Sequence, residues 1–368
     1  LSSSMGVRKD NAGMWLKLLE LYPGLSILHI GDNEHSDVQI PCDMGVSTYH
    51  VMTSKNMFMN SETGRAFPAH ALSRNIADSA LLGLSLDYLF NNPFALHDCK
   101  GDYIFSDKFS FGYAVLGPVV FAYLLWLLKS SLRDHVSKIL FLAREGFLLK
   151  RIFDMILTDK EVADQINSKI ETIYLHASRR AATVPVLNNL EDAVDLLKKN
   201  YMGTLYNLME SRFGLEHGCL EEKCIADSYV ELPTDHDKVA AVLREQFDTI
   251  AVHALQERNY YIKYLESKGI KSREGNIAVS DLGYSGSIQN ALSKLLDVPL
   301  RGYYFATCFD IGDNDNPGNR YSGYFADNED PMTTESAVYR YSLVLESILT
   351  SPDGQLVSFE ERNGEVLP

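Results

Sequence analysis

Residues 277–292, IAVSDLGYSGSIQNAL, constrain the fold more than any other stretch. An apolar run ends in Asp281. A loop of Gly283, Tyr284, Ser285, Gly286 and Ser287 follows, and the residues after it have helical character. A strand that passes into a helix through a Gly/Ser loop predicts a βα unit of an α/β protein. The loop's backbone N–H groups and the positive end of the helix point at one place, which suits an anion. A carboxylate beside such a site suits Mg²⁺ or a sugar hydroxyl. The pattern points to a phosphorylated sugar or nucleotide, although a buried βα turn with a serine N-cap fits the same letters.

The chain has 368 residues, enough for about two or three domains. A net charge of −15 argues against broad nucleic-acid binding but leaves room for a small basic pocket. The five cysteines, Cys42, Cys99, Cys219, Cys224 and Cys308, are sparse and odd in number, which fits a reducing cytoplasm. His217, Cys219 and Cys224 lie close together without a second ligand pair, so a loop is expected there rather than a zinc site. The chain begins at Leu1 with no basic segment ahead of an apolar one, so no secretory signal is expected. Residues 109–128, FSFGYAVLGPVVFAYLLWLL, carry no charge and match a bilayer in length. Pro118, the two glycines and the Ser and Tyr residues favour a core helix preceded by a loop, and no transmembrane segment is expected.

Residues 1–60 have the pattern of the end of an α/β unit. A helix is expected over 10–22, where Trp15, Leu16, Leu18 and Leu19 form an apolar side and Pro23 with Gly24 stops it. Strands are expected over 26–30 and 47–52, with 31–37 as a polar outlet. Residues 61–108 read as a helical connector. A second α/β region, 109–368, offers strands at 138–143, 172–176, 277–281 and 300–307, and a helix at 147–156. It also has a charged, mostly helical insertion over 185–270 and a polar loop over 310–320.

Three expected strands of the second region end in reactive groups. The first has Arg144 and Glu145, the second Ser178, Arg179 and Arg180, and the third Asp281 with the Tyr284–Ser287 loop. Parallel sheets bind ligands at the carboxyl ends of their strands, and arginine's planar fork bonds two phosphate oxygens at once. Parallel neighbours would therefore surround one pocket with arginines, carboxylates and an anion loop. Glu346, on the apolar helix-like run 341–352, is a further candidate base, because a lone carboxylate there needs a reason. In the first region, ILHIGDNEHSD ends a strand with Asp32 and Asp37, spaced to share one Mg²⁺. Ser2, Ser3, Ser4 and Lys9 upstream offer hydroxyls and a cation for a phosphate.

Lys9 with Gly31, Asp32 and Asp37 resembles the later motifs of haloacid dehalogenase (HAD) phosphatases. The resemblance implies that Ser2 or Ser3 is the motif-two hydroxyl, Lys9 the motif-three lysine, and Asp32 and Asp37 the Mg²⁺ carboxylates. That family's nucleophilic aspartate would lie before Leu1, so phosphatase activity is expected to be absent or latent in this stretch of chain. With FLAREGFLLKRIFD, YLHASRRAATVP and SDLGYSGSIQNAL in this order, nearly the whole chain resembles the dual-domain ribofuranosyltransferases of bacterial surface-polysaccharide assembly. The resemblance implies the C-terminal part of a HAD-like Rossmannoid domain over 1–60 and a larger glycan phosphoribosyltransferase domain over 109–368. The transferase would move 5-phosphoribose from 5-phosphoribosyl-1-diphosphate (PRPP) to a glycan, and the phosphatase would then remove the 5-phosphate. Mg²⁺ is the implied cofactor. The acceptor, lipid-linked in such pathways, would put the protein in the cytoplasm or at the inner face of the membrane. The Asp-Asp signature of ordinary phosphoribosyltransferases is absent here. A sugar-phosphate phosphatase, a nucleotide-sugar glycosyltransferase and a non-catalytic phosphosugar-binding module are the alternatives.

Overall fold

The computed structural model describes residues 2–66, 76–101, 105, 107–166, 169–215, 227–309, 311 and 317–368. The cluster His217, Cys219 and Cys224 and most of the 310–320 loop lie outside the described residues. The chain divides into two units, Leu1–Phe121 and Ala122–Pro368. That division falls inside the helix Gly117–Arg133, downstream of the boundary near 109 suggested by composition.

In the N-terminal unit, the helix Gly13–Leu21 precedes a parallel pair of short strands, β1 (Leu28–Gly31) and β2 (Ser47–His50). The expected polar outlet after β1 is instead a π-helical turn, Glu34–Gln39, whose start Asn33 caps by accepting from the N–H groups of His35 and Ser36. Helices Ser54–Asn60, Glu62–Ala66, Ile76–Leu89 and Ala95–Asp98 follow. Met57, Phe58, Leu86, Phe90 and Ala95 form their small core.

The C-terminal unit is built on a five-stranded sheet. Its strands are β3 (Lys138–Leu142), β4 (Glu171–Leu175), β7 (Ile277–Asp281), β8 (Arg301–Cys308) and β9 (Arg320–Glu329). A separate antiparallel pair, β5 (Tyr201–Thr204) and β6 (Tyr229–Leu232), belongs to the insertion between β4 and β7. The sheet order is β4-β3-β7-β8-β9, and every neighbouring pair is parallel. The central strands KILFL and IAVSD are buried along almost their whole length, which is why they read as continuous apolar runs without alternation.

Helices cover both faces. On one face Leu140, Leu142, Ile277 and Val279 pack with Tyr261, Tyr264 and Leu265 of the 32-residue helix His236–Ser267 and with Leu292 and Leu296 of Ser287–Leu296. On the other, Phe153 of the helix Gly146–Thr158 meets Phe141, with ring centroids 5.5 Å apart, and Tyr123 meets Phe305 at 4.2 Å. The insertion has its own core, with Leu205, Leu208, Phe213, Val230 and Leu243 among its members. The fold is therefore mixed α/β with a parallel sheet.

The apolar run at 109–128 departs from expectation. There is no loop before Pro118: the helix runs unbroken from Lys108 to Arg133. Proline lacks an N–H and its ring crowds the preceding turn. A π-turn over Gly112–Leu116, closed by the Gly117 N–H donating to the Gly112 carbonyl, widens the helix just ahead of that point. Among the described residues this is the one helix long and apolar enough to cross a membrane, with mean hydropathy 1.9, and 28% of its most apolar window is buried. Tyr123, Leu124, Leu127 and Leu128 are buried, whereas Phe109, Tyr113 and Phe121 are exposed. The core-helix reading thus describes only its second half.

Tyr123 ties that second half to the sheet. Its hydroxyl is 2.8 Å from Ser280 Oγ and donates to the Tyr303 carbonyl at 2.8 Å. Tyr123→Phe leaves a buried carbonyl short of a donor, a loss of about 1–3 kcal/mol. Thermal unfolding of this variant is expected at a lower temperature. Combining it with Ser280→Ala should cost less than the sum of the single changes, because the two share one bond.

Candidate functional site

The chain leaves β3 toward β4 on one side and returns to β7 on the other, so the strand order reverses at β3. Loops diverge at such a reversal and leave a crevice at the strands' carboxyl ends. A cavity of about 320 Å³ lies there. Arg144 and Glu145 enter it from the end of β3, Ser178 and Arg179 from β4, Asp281 from β7, and Glu346 from the helix Ser342–Leu349.

Local structure explains each placement. Glu145 occupies the N-cap position of Gly146–Thr158, and its Oε2 accepts from the Arg144 N–H at 3.1 Å. Ser178 is extended and buried, and its Oγ accepts from the Ala181 N–H at 3.0 Å, capping the turn Arg179–Thr183. Asp281 is the last residue of β7, and its Oδ1 accepts from the Leu282 N–H at 2.8 Å. Gly283 has φ 148°, and a Cβ there would stand 2.5 Å from the Ala306 carbonyl oxygen. Glycine is therefore required where this loop passes close to the backbone of β8. The peptides Ala143–Arg144 and Gly283–Tyr284, on either side of the crevice, are both cis.

Electrostatics single out Asp281. Burial pushes its carboxyl up to about 8, reinforced by the neighbouring charges of Glu145 and Glu346. The Leu282 N–H and the Arg179 guanidinium act in the opposite direction. A carboxyl that titrates near neutrality can accept or donate a proton under working conditions.

Two groups expected at this pocket sit elsewhere. Arg180 points away from the cavity: its Nη2 donates to Glu257 Oε1 at 2.7 Å, its Nη1 contacts the other oxygen of the same carboxylate, and Nη1 also donates to the Val357 carbonyl at 2.9 Å. It is a structural ion pair because the helical turn that begins at Arg179 sends consecutive side chains in different directions. The loop residues Tyr284, Ser285, Gly286 and Ser287 do not line the cavity, although Gly283 and Ile288 on either side do. The Tyr284 ring packs on Tyr339 with centroids 5.1 Å apart, and its carbonyl accepts from the Cys308 N–H at 3.1 Å. The N-cap residue of the helix Ser287–Leu296 is Gly286, which is in the left-handed region and provides no side-chain cap, so the serine N-cap of the alternative reading is not formed.

The cavity also contains groups that the sequence did not single out: His176, Gly354, Gln355 and Leu356. His176 lies just past β4, where the rule about carboxyl ends could have found it. Its main-chain N–H donates to the Tyr264 hydroxyl at 3.0 Å, and its Nδ1 is 3.1 Å from the same oxygen. Burial lowers its affinity for a proton, with Asp353 opposing and Lys268 reinforcing the effect. Residues 354–356 arrive from a distant segment, for which no local signal exists.

The N-terminal unit brings Lys9 and Asp37 together across 28 residues of sequence, with Nζ 2.6 Å from Oδ1. His29 Nε2 is 3.0 Å from the same oxygen, and the Asn33 N–H donates to Oδ2 at 3.1 Å. Burial raises the Asp37 carboxyl's proton affinity, but the bonds from Lys9, His29 and Asn33 outweigh it and hold the group down at about 2. Trp15 organises this corner: its indole N–H donates to the Lys9 carbonyl at 3.1 Å, and its ring meets His29 edge-on at 4.6 Å. Gly31 allows the packing, since a Cβ there would stand 2.5 Å from Asp37 Cβ. Asp32 is exposed, and its carbonyl accepts from His50 Nε2 at 3.1 Å. The backbone of Ser2 and Ser3 is in the turn Ser2–Met5, and their hydroxyls lie outside the described residues. Among the described residues no cluster of three or more His, Cys, Asp or Glu side chains is arranged to hold a metal.

No family model matches the chain, and no curated protein is significantly similar to it.

The raised carboxyl at Asp281 predicts a stability effect with a definite sign. Between the unfolded value near 4 and the folded value of about 8, the folded state holds a proton that the unfolded state has lost. Stability therefore falls as pH rises through this window and levels off above it. Asp281→Asn removes the titration while keeping an acceptor for the Leu282 N–H. The variant is expected to melt several degrees higher than wild type at pH 8 and within a degree or so of it at pH 4, by differential scanning fluorimetry.

Proposed function

We propose that the C-terminal unit is a glycosyltransferase that moves 5-phosphoribose from PRPP to a glycan hydroxyl. The observation that carries this reading is the convergence of Arg144, Arg179, Glu145 and Asp281 on one crevice at the reversal of strand order. A crevice of about 320 Å³ has room for one phosphorylated sugar. The arginines would bind the phosphates of the donor. The acceptor oxygen would attack C1 of the ribose, and the C1–O bond to diphosphate would break with its electron pair leaving on diphosphate. Asp281, ionised, would take the acceptor's hydroxyl proton. Attack opposite the leaving group inverts C1, so the α-configured donor would give a β-ribofuranoside.

Mg²⁺ suits this site through the substrate rather than through a dedicated cage. It commonly keeps several waters and is held by one or two carboxylates together with phosphate oxygens. Glu145 is the residue we assign to it, and the ion would supply charge neutralisation of the diphosphate. In the N-terminal unit, the Lys9–Asp37 pair supports reading that region as the C-terminal part of a HAD-type phosphatase that acts on the transferred phosphoribosyl group. We place the reaction in a bacterial cytoplasm, on a surface-polysaccharide acceptor carried by lipid.

The test is a thermal-shift titration with PRPP and Mg²⁺, with ribose 5-phosphate, diphosphate and a UDP-sugar panel as controls. A Mg²⁺-dependent rise with PRPP, larger than with either half of the donor, is expected. A rise with a nucleotide sugar and none with PRPP would replace this reading with an ordinary glycosyltransferase. In transfer assays, Arg179→Ala should raise the KM for PRPP by about tenfold or more. Asp281→Asn should lower kcat by about 10²–10⁴-fold, and wild-type kcat/KM, which follows the free enzyme, should rise with pH up to about 8 as Asp281 ionises. Full activity in both variants would show that the chemistry lies elsewhere.

A further inference from the structure

A second cavity, of about 550 Å³, adjoins the first. The two share His176, Gly354, Gln355 and Leu356, so His176 and a short strap of chain form their common wall. We propose that this second cavity is a subsite for a neutral, hydroxyl-rich saccharide, positioned to present a hydroxyl to the first cavity. Its role as an acceptor site rests on the transferase reading; its affinity for a saccharide does not.

The wall is anchored at Asp353, at Leu356 and Phe359, and at Val357. Phe359 packs on Tyr264 and Tyr261, with ring centroids 4.3 Å and 4.7 Å apart, and Leu356 is buried in the same core. The Tyr174 hydroxyl donates to Asp353 Oδ2 at 2.9 Å, which pins the start of the strap to β4. Arg180 holds the far end through the Val357 carbonyl. The arginine that does not face the first cavity thus supports the wall of the second. A site held in shape before binding loses little conformational entropy when occupied.

The charges differ between the two cavities. The first presents Arg144 and Arg179, which suit a phosphorylated ligand. In the second, the Arg362 guanidinium is engaged by Glu360, with Nε and Nη2 at 3.2 and 2.9 Å from Oε2. Asp353 adds a further carboxylate, and Ser358 a hydroxyl. Among the described lining residues Asp353 and Glu360 outnumber Arg362, so the cavity is net negative and offers acceptors for hydroxyl donors rather than a cationic seat for a phosphate or uronate. A neutral saccharide fits those terms, and a second anionic sugar does not.

Saturation-transfer NMR on the full chain tests the site, with methyl β-D-galactoside, methyl β-D-glucoside and methyl α-D-mannoside as probes and methyl β-D-glucuronide as the anionic control. Transfer to at least one neutral glycoside, and weaker transfer to the glucuronide, is expected. Ser358→Trp places an indole in the cavity and should reduce the signal by about fivefold or more, while the thermal shift with PRPP and Mg²⁺ stays as in wild type. If that variant does not fold, Val357→Trp, at a more exposed position, makes the same test. No transfer from wild type, or transfer that survives the tryptophan, overturns the subsite. A saccharide signal that tryptophan abolishes, in a protein that PRPP does not stabilise, keeps the subsite and removes the donor reading instead.

Discussion

Strands β3 and β7 are covered on both faces, and that burial determines where polar chemistry can stand. Within the strands every residue but the last is apolar, small or, like Ser280 and Lys138, tied to a named partner. Ser280 bonds Tyr123, and Lys138 reaches the Gly269 carbonyl at 2.6 Å and Glu274 at 2.9 Å. A group without such a partner is costly to bury. Free polar side chains are therefore confined to the strand ends, and at the carboxyl end the reversal of order opens the crevice that receives them. Asp281 stands at the edge of this constraint. It is attached to a buried strand, and among the described residues its carboxylate accepts one hydrogen bond, from the Leu282 N–H. The same burial that stabilises the sheet raises its proton affinity.

This architecture separates two kinds of arginine that look alike in the letters. Arg179 and Arg180 are adjacent, and a rule based on strand outlets treats them equally. The turn that begins at Arg179 rotates successive side chains apart, so Arg179 faces the crevice and Arg180 faces the helix His236–Ser267. Arg180 then finds Glu257, some eighty residues away, and the two neutralise each other in a largely buried setting. Removing one partner from such a pair costs far more than the pair itself contributes, because the other is left as an uncompensated charge. Arg180 belongs to the scaffold and Arg179 to the candidate site.

Much of the central sheet was legible in the sequence because its signals are local. Continuous apolar runs ending in polar residues placed β3, β4, β7 and β8 to within a residue or two, and Asp281, Glu145 and Arg179 followed from them. What escaped depends on distance or on local backbone detail. Strand β9, RYSGYFADNE, is only partly buried at the sheet edge and carries no apolar run. The π-turns at Gly112–Leu116 and Glu34–Gln39 leave no periodic trace. Residues 354–356 reach the crevice only through the packing of Leu356 and Phe359 on the long helix, a contact between segments far apart in sequence. The resemblance assigned Lys9 to a phosphate and Asp37 to Mg²⁺ and did not anticipate that the two would pair; the geometry supplies the basis of that pairing in the indole of Trp15 and the missing side chain of Gly31.

Two carboxylates to which the sequence assigned different roles, Asp37 as a Mg²⁺ ligand and Asp281 as a catalytic group, show how environment decides what each can do. Asp37 is buried in the turn that follows β1, and Asp281 is partly buried at the end of β7. Asp37 meets a lysine, a histidine and a backbone N–H, and these hold it ionised down to a pH of about 2. It can orient Lys9 and hold a charge, but it cannot exchange a proton near neutrality. Asp281 loses hydration and meets two other carboxylates against a single arginine, so its proton is retained to about pH 8. Its ionisation is then sensitive to whatever enters the crevice. A phosphorylated ligand paired with the arginines would raise its proton affinity further, and a divalent cation arriving with that ligand would lower it. The proton on Asp281 is thus coupled to occupancy of the site, whereas the charge on Asp37 is set by the fold alone.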